Sequence, residues 1–204
     1  MDQTGDIKNL IDANISFVVV GRDFENIEVD AVYNDEVKGG FLATEYLIKK
    51  GYKRIALIDD FLYKSPAKGR LEGYKKALKK YRIPLDESLI SVGDINIEDG
   101  YERTKQMLEK KLDFTAIFAY NDMMAFGVMQ AIKEKGLRIP EDIGLVGYDD
   151  ILFSSIISPS LSTISLKKKE LGIESVKLLI SRIKGKHKKP KKMMLDLDLI
   201  IRQT

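Results

Sequence analysis

The 204-residue sequence predicts an α/β fold in which parallel strands are flanked by helices. Three observations predict it. Short, continuously apolar runs recur along the chain, as strands buried on both faces require. Between them, apolar residues fall at helical spacing, and strands alternating with helices imply right-handed βαβ units and a parallel sheet. The runs also stop at aspartate or asparagine, so polar groups gather where strands emerge, the edge of a parallel sheet at which ligands bind.

Taken in order, Phe17 to Val20 is an apolar, β-branched run, and Ala31-Val32-Tyr33 is a shorter extended piece ending at Asn34-Asp35. Val37, Phe41, Leu42, Tyr46 and Leu47 mark a helix that stops at Gly51. Ile55 to Ile58 is a buried strand ending in Asp59-Asp60. A loop with Pro66 and Gly69 leads to Arg70 and a helix marked by Leu71, Tyr74, Ala77 and Leu78. Leu89 to Val92 is the next strand, and Tyr101, Met107 and Leu108 give the next helix face. Ala116 to Tyr120 is a strand ending at Asn121-Asp122, followed by a helix from Met123 that Gly136 terminates. Ile143 to Tyr148 is the strand that ends in Asp149-Asp150. The Ser- and Pro-rich stretch after it is too irregular for a long helix and leads to an extended segment, Ser162 to Leu166. Leu171, Val176, Leu178, Leu179 and Ile183 form one more helix, and a basic loop, Lys184 to Lys192, precedes a final extended pair, Met193 to Ile201.

Composition narrows the function classes. A net charge of +3 is too small to argue for nucleic acid by itself, and lysine far outnumbers arginine, which suits a solvated surface more than bidentate phosphate recognition. With no cysteine, disulfides, thiolate nucleophiles and cysteine-ligated metals are excluded. The first residues, MDQTGDIKNL, have neither the basic nor the apolar region of an export signal, and no apolar run spans a bilayer, so the expectation is a cytoplasmic protein without membrane contact.

Asp35, Asp59, Asp60, Asp94, Asn121, Asp122, Asp149 and Asp150 form a rim of acceptors, with Arg70 and Lys64 arriving from a loop on the same side. Each carboxylate or amide could equally be a helix cap. Together they suit a neutral polyol: carboxylates accept from paired hydroxyls, an amide donates and accepts, and arginine donates through a planar fork. Phe61, Tyr63, Tyr120 and Phe153 lie close enough in sequence to cover an apolar ligand face or to be ordinary packing aromatics. Catalysis is poorly supported by the pattern. The single histidine, His187, falls in the lysine loop and is expected to be solvated, so a Ser–His–Asp arrangement lacks its base. No glycine-rich phosphate loop is present. Asp59-Asp60 or Asp149-Asp150 could hold Mg²⁺, but adjacent strand residues point to opposite faces. No catalytic residue, metal or cofactor is expected.

With these residues in hand, the chain resembles the lactose-repressor/galactose-repressor (LacI/GalR) family of bacterial transcription regulators. The resemblance is carried, in order, by Val29-Asp30, Asp35, Tyr46-Leu47-Ile48 with Gly51, Arg54-Ile55-Ala56, and Ala67 with Arg70-Leu71-Glu72-Gly73-Tyr74. It continues through the run from Thr115 to Asp122, Gly136 to Asp142, Val146 to Asp150, Pro159 with Leu161 to Ile164, and the terminal Ile201 to Thr204. Single pieces are weak; the ordered set is specific. It implies a two-lobe fold like that of periplasmic sugar-binding proteins, with residues 1–50 and 166–190 in a partial N-terminal lobe and 51–165 and 191–204 in a C-terminal lobe. The first lobe is expected to be incomplete, and no DNA-binding domain is expected in this chain.

The resemblance also implies roles. Arg70, Asn121 and Asp149 match effector-binding positions, Asp35 reaches the effector from the opposite lobe, and Lys64 and Ile95 match more variable pocket positions. Phe126 and Ile157 match the family's dimer interface. Asp59-Asp60 stand where the family often has glycine, and Tyr52 replaces a common histidine. The implied function is an effector-sensing domain of a repressor, binding a small molecule such as a sugar, forming a homodimer, and meeting operator DNA only through a missing N-terminal helix-turn-helix. The alternatives are a stand-alone sugar-binding protein of the transport type, and a regulator that takes a purine or a phosphorylated protein partner.

Overall fold

Each apolar run expected as a strand and each amphipathic stretch expected as a helix is realised in the computed structural model, which describes residues 3–24, 26–61 and 65–204. In chain order the elements are α1 (Gln3–Asp12), β1 (Val19–Val20), β2 (Ala31–Asn34), α2 (Glu36–Lys49), β3 (Ile55–Asp60), α3 (Ser65–Lys80), β4 (Ile90–Gly93) and α4 (Ile97–Glu109). There follow β5 (Ala116–Ala119), α5 (Asp122–Glu134), β6 (Gly144–Asp149), a one-turn α6 (Phe153–Ile156), β7 (Thr163–Leu166), α7 (Lys168–Ile183), β8 (Lys192–Leu195) and β9 (Leu197–Ile200). α1 was not foreseen, because its ten residues carry few apolar side chains and, among those whose side chains are described, only Ile7 is buried.

The chain divides into two compact units, Met1–Asn34 with Lys167–Asp196, and Asp35–Leu166 with Leu197–Thr204. These boundaries differ from the expected ones. Residues 35–50 belong with the second unit, because α2 contributes Ala43, Tyr46 and Leu47 to a core shared with Leu57 and Tyr74. Residues 191–196 belong with the first, because β8 pairs in parallel with β2.

In the second unit six strands run in the order β4-β3-β5-β6-β7-β9. All pair in parallel except β9, which runs antiparallel to β7 at the sheet edge. The alternation along β3 sorts two cores. Ala56 and Ile58 pack with Met107, Met124, Val128 and Ile132 from α4 and α5. Ile55 and Leu57 pack with Leu47, Tyr74 and Leu78 from α2 and α3.

Glycines let each helix pair cross with backbones touching. A Cβ at Gly40 would lie 2.2 Å from the Arg70 carbonyl oxygen, and one at Gly73 would lie 2.1 Å from that of Val37 and 2.5 Å from the Phe41 nitrogen. On the other face a Cβ at Gly100 would meet the Met124 carbonyl at 2.4 Å, and one at Gly127 the Ile97 carbonyl at 1.9 Å. None of these contacts has a movable side chain to yield, so only glycine fits. Glu45 of α2 is the polar counterpart of this packing: it accepts from Lys49, Lys80 and the Tyr81 hydroxyl. Burial would raise its pKa, but these donors hold it down at about 2.

In the first unit β1, β2 and β8 form a three-stranded parallel sheet. His187 is not solvated as expected. Its ring is 6% exposed, with Nε2 2.9 Å from Asp30 Oδ2 and Nδ1 2.8 Å from the Ser181 hydroxyl. Asp30 also takes two hydrogen bonds from the Arg182 guanidinium and one from the Lys191 amide. The lysine-rich loop is thereby anchored at its backbone to α7 and to the start of β2, while lysine side chains stay at the surface.

Replacing Gly73 by alanine should destabilise the second unit by roughly 1–3 kcal/mol or more, the cost of forcing atoms into a filled crossing. Urea denaturation of the variant should show a lower midpoint, and an unchanged midpoint would mean that α2 and α3 can part without cost.

Candidate functional site

The acceptor rim predicted at the strand ends resolves into groups committed to the fold and groups gathered around Arg70. Asp35, Asn121 and Asn96 are helix caps: their side chains accept from the amides of Lys38, Met124 and Asp99 at the starts of α2, α5 and α4. Asp122 is wholly buried and takes three donors, the hydroxyls of Thr163 at 2.6 Å and Ser154 at 2.7 Å and the Ile151 amide at 2.9 Å. Burial pushes its pKa up against those hydrogen bonds. Asp150 accepts from Arg202 Nη2 at 2.6 Å. Asp94 and Ile95, after β4, are exposed.

Arg70 organises what remains. It is 5% exposed, with its guanidinium carbon 3.6 Å from the centroid of the Tyr148 ring and 4.0 Å from that of Tyr120. Its Nε donates to Glu36 Oε2 at 2.8 Å, and its Nη1 donates to the Tyr120 carbonyl. Burial alone would lower its pKa, but the Glu36 carboxylate, followed by Tyr148, Tyr120 and Asp149, outweighs it and the guanidinium stays charged. The glycines position this pair. Gly69 makes room for Glu36, whose Cβ would lie 2.6 Å from an added Cβ, and Gly39 makes room for the Tyr148 hydroxyl at 2.0 Å.

Asp149 is presented by strained backbone. It has φ 102° and Asp150 has φ 49°, so consecutive non-glycine residues occupy the left-handed region. Such conformations cost about 1–3 kcal/mol each and persist only where the surroundings over-determine them. Here the Arg202–Asp150 pair, the Thr163 hydroxyl bonded to the Asp150 amide at 3.3 Å and Asp122 bonded to the Ile151 amide supply that constraint.

Asp59 lies at the end of β3, fully buried. Its Oδ1 accepts from the Asp60 amide at 2.9 Å, while its Oδ2 is buried without a hydrogen-bond partner. By strand alternation it shares the α2/α3 face with Ile55 and Leu57, and Asp60 the other. Burial pushes its carboxyl up to about 7, against the Asp60 amide and Arg70, and with Asp60 and Glu36 adding to the rise.

Of the expected binding residues, Arg70 and Asp149 act on one another electrostatically, Asn121 follows Tyr120 of the arginine's platform, and Asp35 adjoins Glu36. Asp35 belongs to the same unit as the other three, not to the opposite one as expected, because α2 docks on α3. Lys64 and Tyr63 lie outside the described residues. Phe61 and Phe153 are exposed and Tyr120 is the aromatic that lies against Arg70. Tyr52, at the position of a common histidine, donates to the Pro140 carbonyl at 2.8 Å. Sequence reasoning missed Glu36 and the role of Tyr148. The available signal was the glycine spacing of Gly39-Gly40 against Gly69 and Gly73, which forces the two helices, and so Glu36 and Arg70, together. Among the described residues no group of three or more His, Cys, Asp or Glu is arranged to hold a metal ion, and no helix is long and apolar enough to cross a membrane.

The Asp59 carboxyl carries a pH signature. Unfolded, it loses its proton near 3.8; folded, it keeps it to about 7. Unfolding therefore releases a proton between those values, and this group's contribution to stability is lost as pH rises through that window. Asp59→Asn should flatten that part of the stability profile in urea melts taken from pH 4 to pH 8.

Comparison with known proteins places this geometry. The periplasmic binding protein-like domain family matches residues 44–204. The HTH-type transcriptional repressor PurR of Vibrio atlanticus is 34% identical over 205 residues, covering 100% of this chain and 61% of its own length. The ribose operon repressor of Haemophilus influenzae is 36% identical over 191 residues, covering 94% of this chain and 58% of its own length. This chain thus spans about three-fifths of the curated relatives it matches. The solved structure of a LacI family transcriptional regulator from Enterococcus faecium with bound ribose superposes with a TM-score of 0.88 at 32% identity, covering 99% of this chain and 75% of that one. The family match over residues 44–204 and sequence likeness along the whole chain lead to one assignment: the chain belongs to the LacI family, with the fold of its periplasmic-binding-protein-like domain.

Proposed function

We propose that this chain is the effector-sensing domain of a LacI-family transcriptional repressor and that it binds a small polyhydroxy ligand, a sugar, at the strand ends of the second unit. The observation that carries this is Arg70, a buried guanidinium lying over two tyrosine rings, with Asp149 and Asn121 at neighbouring strand ends. A planar donor fork, a carboxylate and an amide match the alternating donor and acceptor character of vicinal hydroxyls. Asp35, before the first residue of α2, completes the ligand contacts in this reading, together with Lys64. The E. faecium relative has ribose bound, which supports a sugar here. The domain itself carries out no catalysis. It acts in the cytoplasm, and operator DNA is met through a helix-turn-helix segment such as the one named in the PurR relative.

The same reading includes a homodimer. Phe126 of α5 and Ile157 after α6 are partly buried against the α4/α5 core. Beside them Leu152, Phe153 and Ile156 are 75%, 58% and 66% exposed, an apolar group that Asp122 ties to the start of α5 through Ile151 and Ser154. Apolar side chains clustered at a surface in this way mark contact sites. A ligand that favours one arrangement of the dimer would shift the spacing of the DNA-reading segments.

Titration calorimetry over a panel of pentoses, hexoses and disaccharides tests the binding. At least one sugar should bind, and Arg70→Lys, which keeps the charge but loses the fork, should weaken it roughly 100-fold, the equivalent of about 3 kcal/mol of charge-assisted hydrogen bonds. Unchanged affinity in that variant, or no binding to any sugar, would overturn the reading. Sedimentation of Ile156→Lys should show monomer where the natural chain shows dimer.

A further inference from the structure

The densest run of positive charge in the sequence is the segment from Lys184 to Lys192, in which six of nine residues are lysine and none is acidic. Its backbone is tied down along its length. The chain leaves α7 through Gly185, whose φ is 64°, and the amides of Gly185 and Lys186 return to the carbonyls of Arg182 and Ser181, each at 3.0 Å. The His187 ring is fixed between Ser181 and Asp30. The Lys188 carbonyl accepts from Arg182 Nη1 at 2.7 Å, and the Lys191 amide donates to Asp30 at 2.7 Å. Beyond that point the Lys191 carbonyl accepts from the Ala31 amide at 2.9 Å, where β8 joins β2. Asp30 and Arg182 thus fix the points at which the lysines leave the surface.

The carboxylates of this unit are spent on other groups. Asp30 is taken by Arg182 and His187, and Asp23 by Lys192 at 2.9 Å, the lysine on which Glu28 also acts. Lys184, Lys186, Lys188, Lys189 and Lys191 are exposed, and among the described residues no carboxylate lies within ion-pair distance of their ammonium groups. From each of these five to the next is at most two residues, so neighbouring Cα atoms lie no more than about 7 Å apart, inside the Debye length of about 8 Å at physiological salt. Five like charges held this close repel one another, and a partner with a dense row of negative charge relieves that repulsion.

We infer that the anchored loop from Lys184 to Lys191 is a surface for the phosphate backbone of duplex DNA, gripping it without reading its sequence. Duplex DNA carries one negative charge per about 1.7 Å of its axis and releases counterions when lysines neutralise its phosphates. Lysine is a point charge without the planar fork of arginine, so it suits phosphates rather than base edges. The segment holds no large apolar side chain of the kind that a membrane-surface anchor buries. The choice of DNA over other polyanions rests on membership of a family of transcription regulators. The loop adds to the affinity supplied by a helix-turn-helix segment and leaves sequence recognition to that segment.

Fluorescence anisotropy of a labelled mixed-sequence duplex of about 30 base pairs, titrated with the 204-residue chain at several salt concentrations, tests it. The logarithm of the affinity should fall against the logarithm of salt with a slope of about −3, as about three phosphate contacts require. Changing Lys186→Gln, Lys188→Gln and Lys189→Gln together should weaken binding about tenfold at about 50 mM salt and take about 2 from the slope, while arginine at the same three positions should keep both. Lys75→Gln, Lys79→Gln and Lys135→Gln remove the same charge from exposed positions of the second unit and should leave the affinity within about twofold. An equal loss in that second variant would overturn the inference, because net charge alone would then account for binding. No binding of the duplex by the natural chain at about 25 mM salt would also overturn it, as would tighter binding to vesicles of mixed phosphatidylserine and phosphatidylcholine than to the duplex. The duplex readout involves no sugar, so its result stands whether or not the Arg70 site binds one.

Discussion

A buried arginine needs a carboxylate, and the architecture of the second unit is arranged around supplying it. Arg70 cannot be placed on the sheet without Glu36, since an unpaired guanidinium at that depth would carry the full cost of desolvation. Glu36 cannot reach Arg70 unless α2 lies on α3 with their backbones in contact, and that requires Gly40, Gly69 and Gly73. The chain of dependence runs from bare Cα atoms, to a helix crossing, to an ion pair, to a guanidinium packed against two tyrosine rings.

The strand ends show how one kind of residue divides between holding the fold and making the site. Asp122 is saturated by Thr163, Ser154 and the Ile151 amide, and Asp150 accepts from Arg202 while its amide donates to Thr163, so both stabilise the turn after β6. Asp149 stands between them on strained backbone, and the strain is sustained because its neighbours are pinned. Asp59 is the opposite case, a carboxyl whose burial is incompletely compensated and whose proton is correspondingly hard to remove. The first unit repeats the logic with other groups. Asp30 gathers Arg182, His187 and the Lys191 amide, so a loop made mostly of lysine is held by a single buried carboxylate.

Much of this was legible in the residues themselves. Apolar runs such as Ile55 to Ile58 and Ile143 to Tyr148 define buried strands, since in a short chain only a sheet covered on both faces accepts such runs. The family likeness carried by Arg70, Asn121 and Asp149 pointed to the right fold. Residues 35–50 were assigned to the wrong unit, and His187 to solvent, because both depend on partners far away in the chain: α3 for the helix, Asp30 for the ring.

The sequence by itself determined the alternation of strands and long helices after α1, the polar character of the strand ends and the absence of cysteine chemistry, because each follows from local periodicity and composition. Only the tertiary structure decided which of the aspartates cap helices or sit as buried acceptors, and that Arg70 is paired with Glu36. Those outcomes depend on which groups are brought within a few ångströms by helix crossings and strand register, and a one-dimensional pattern does not contain those distances.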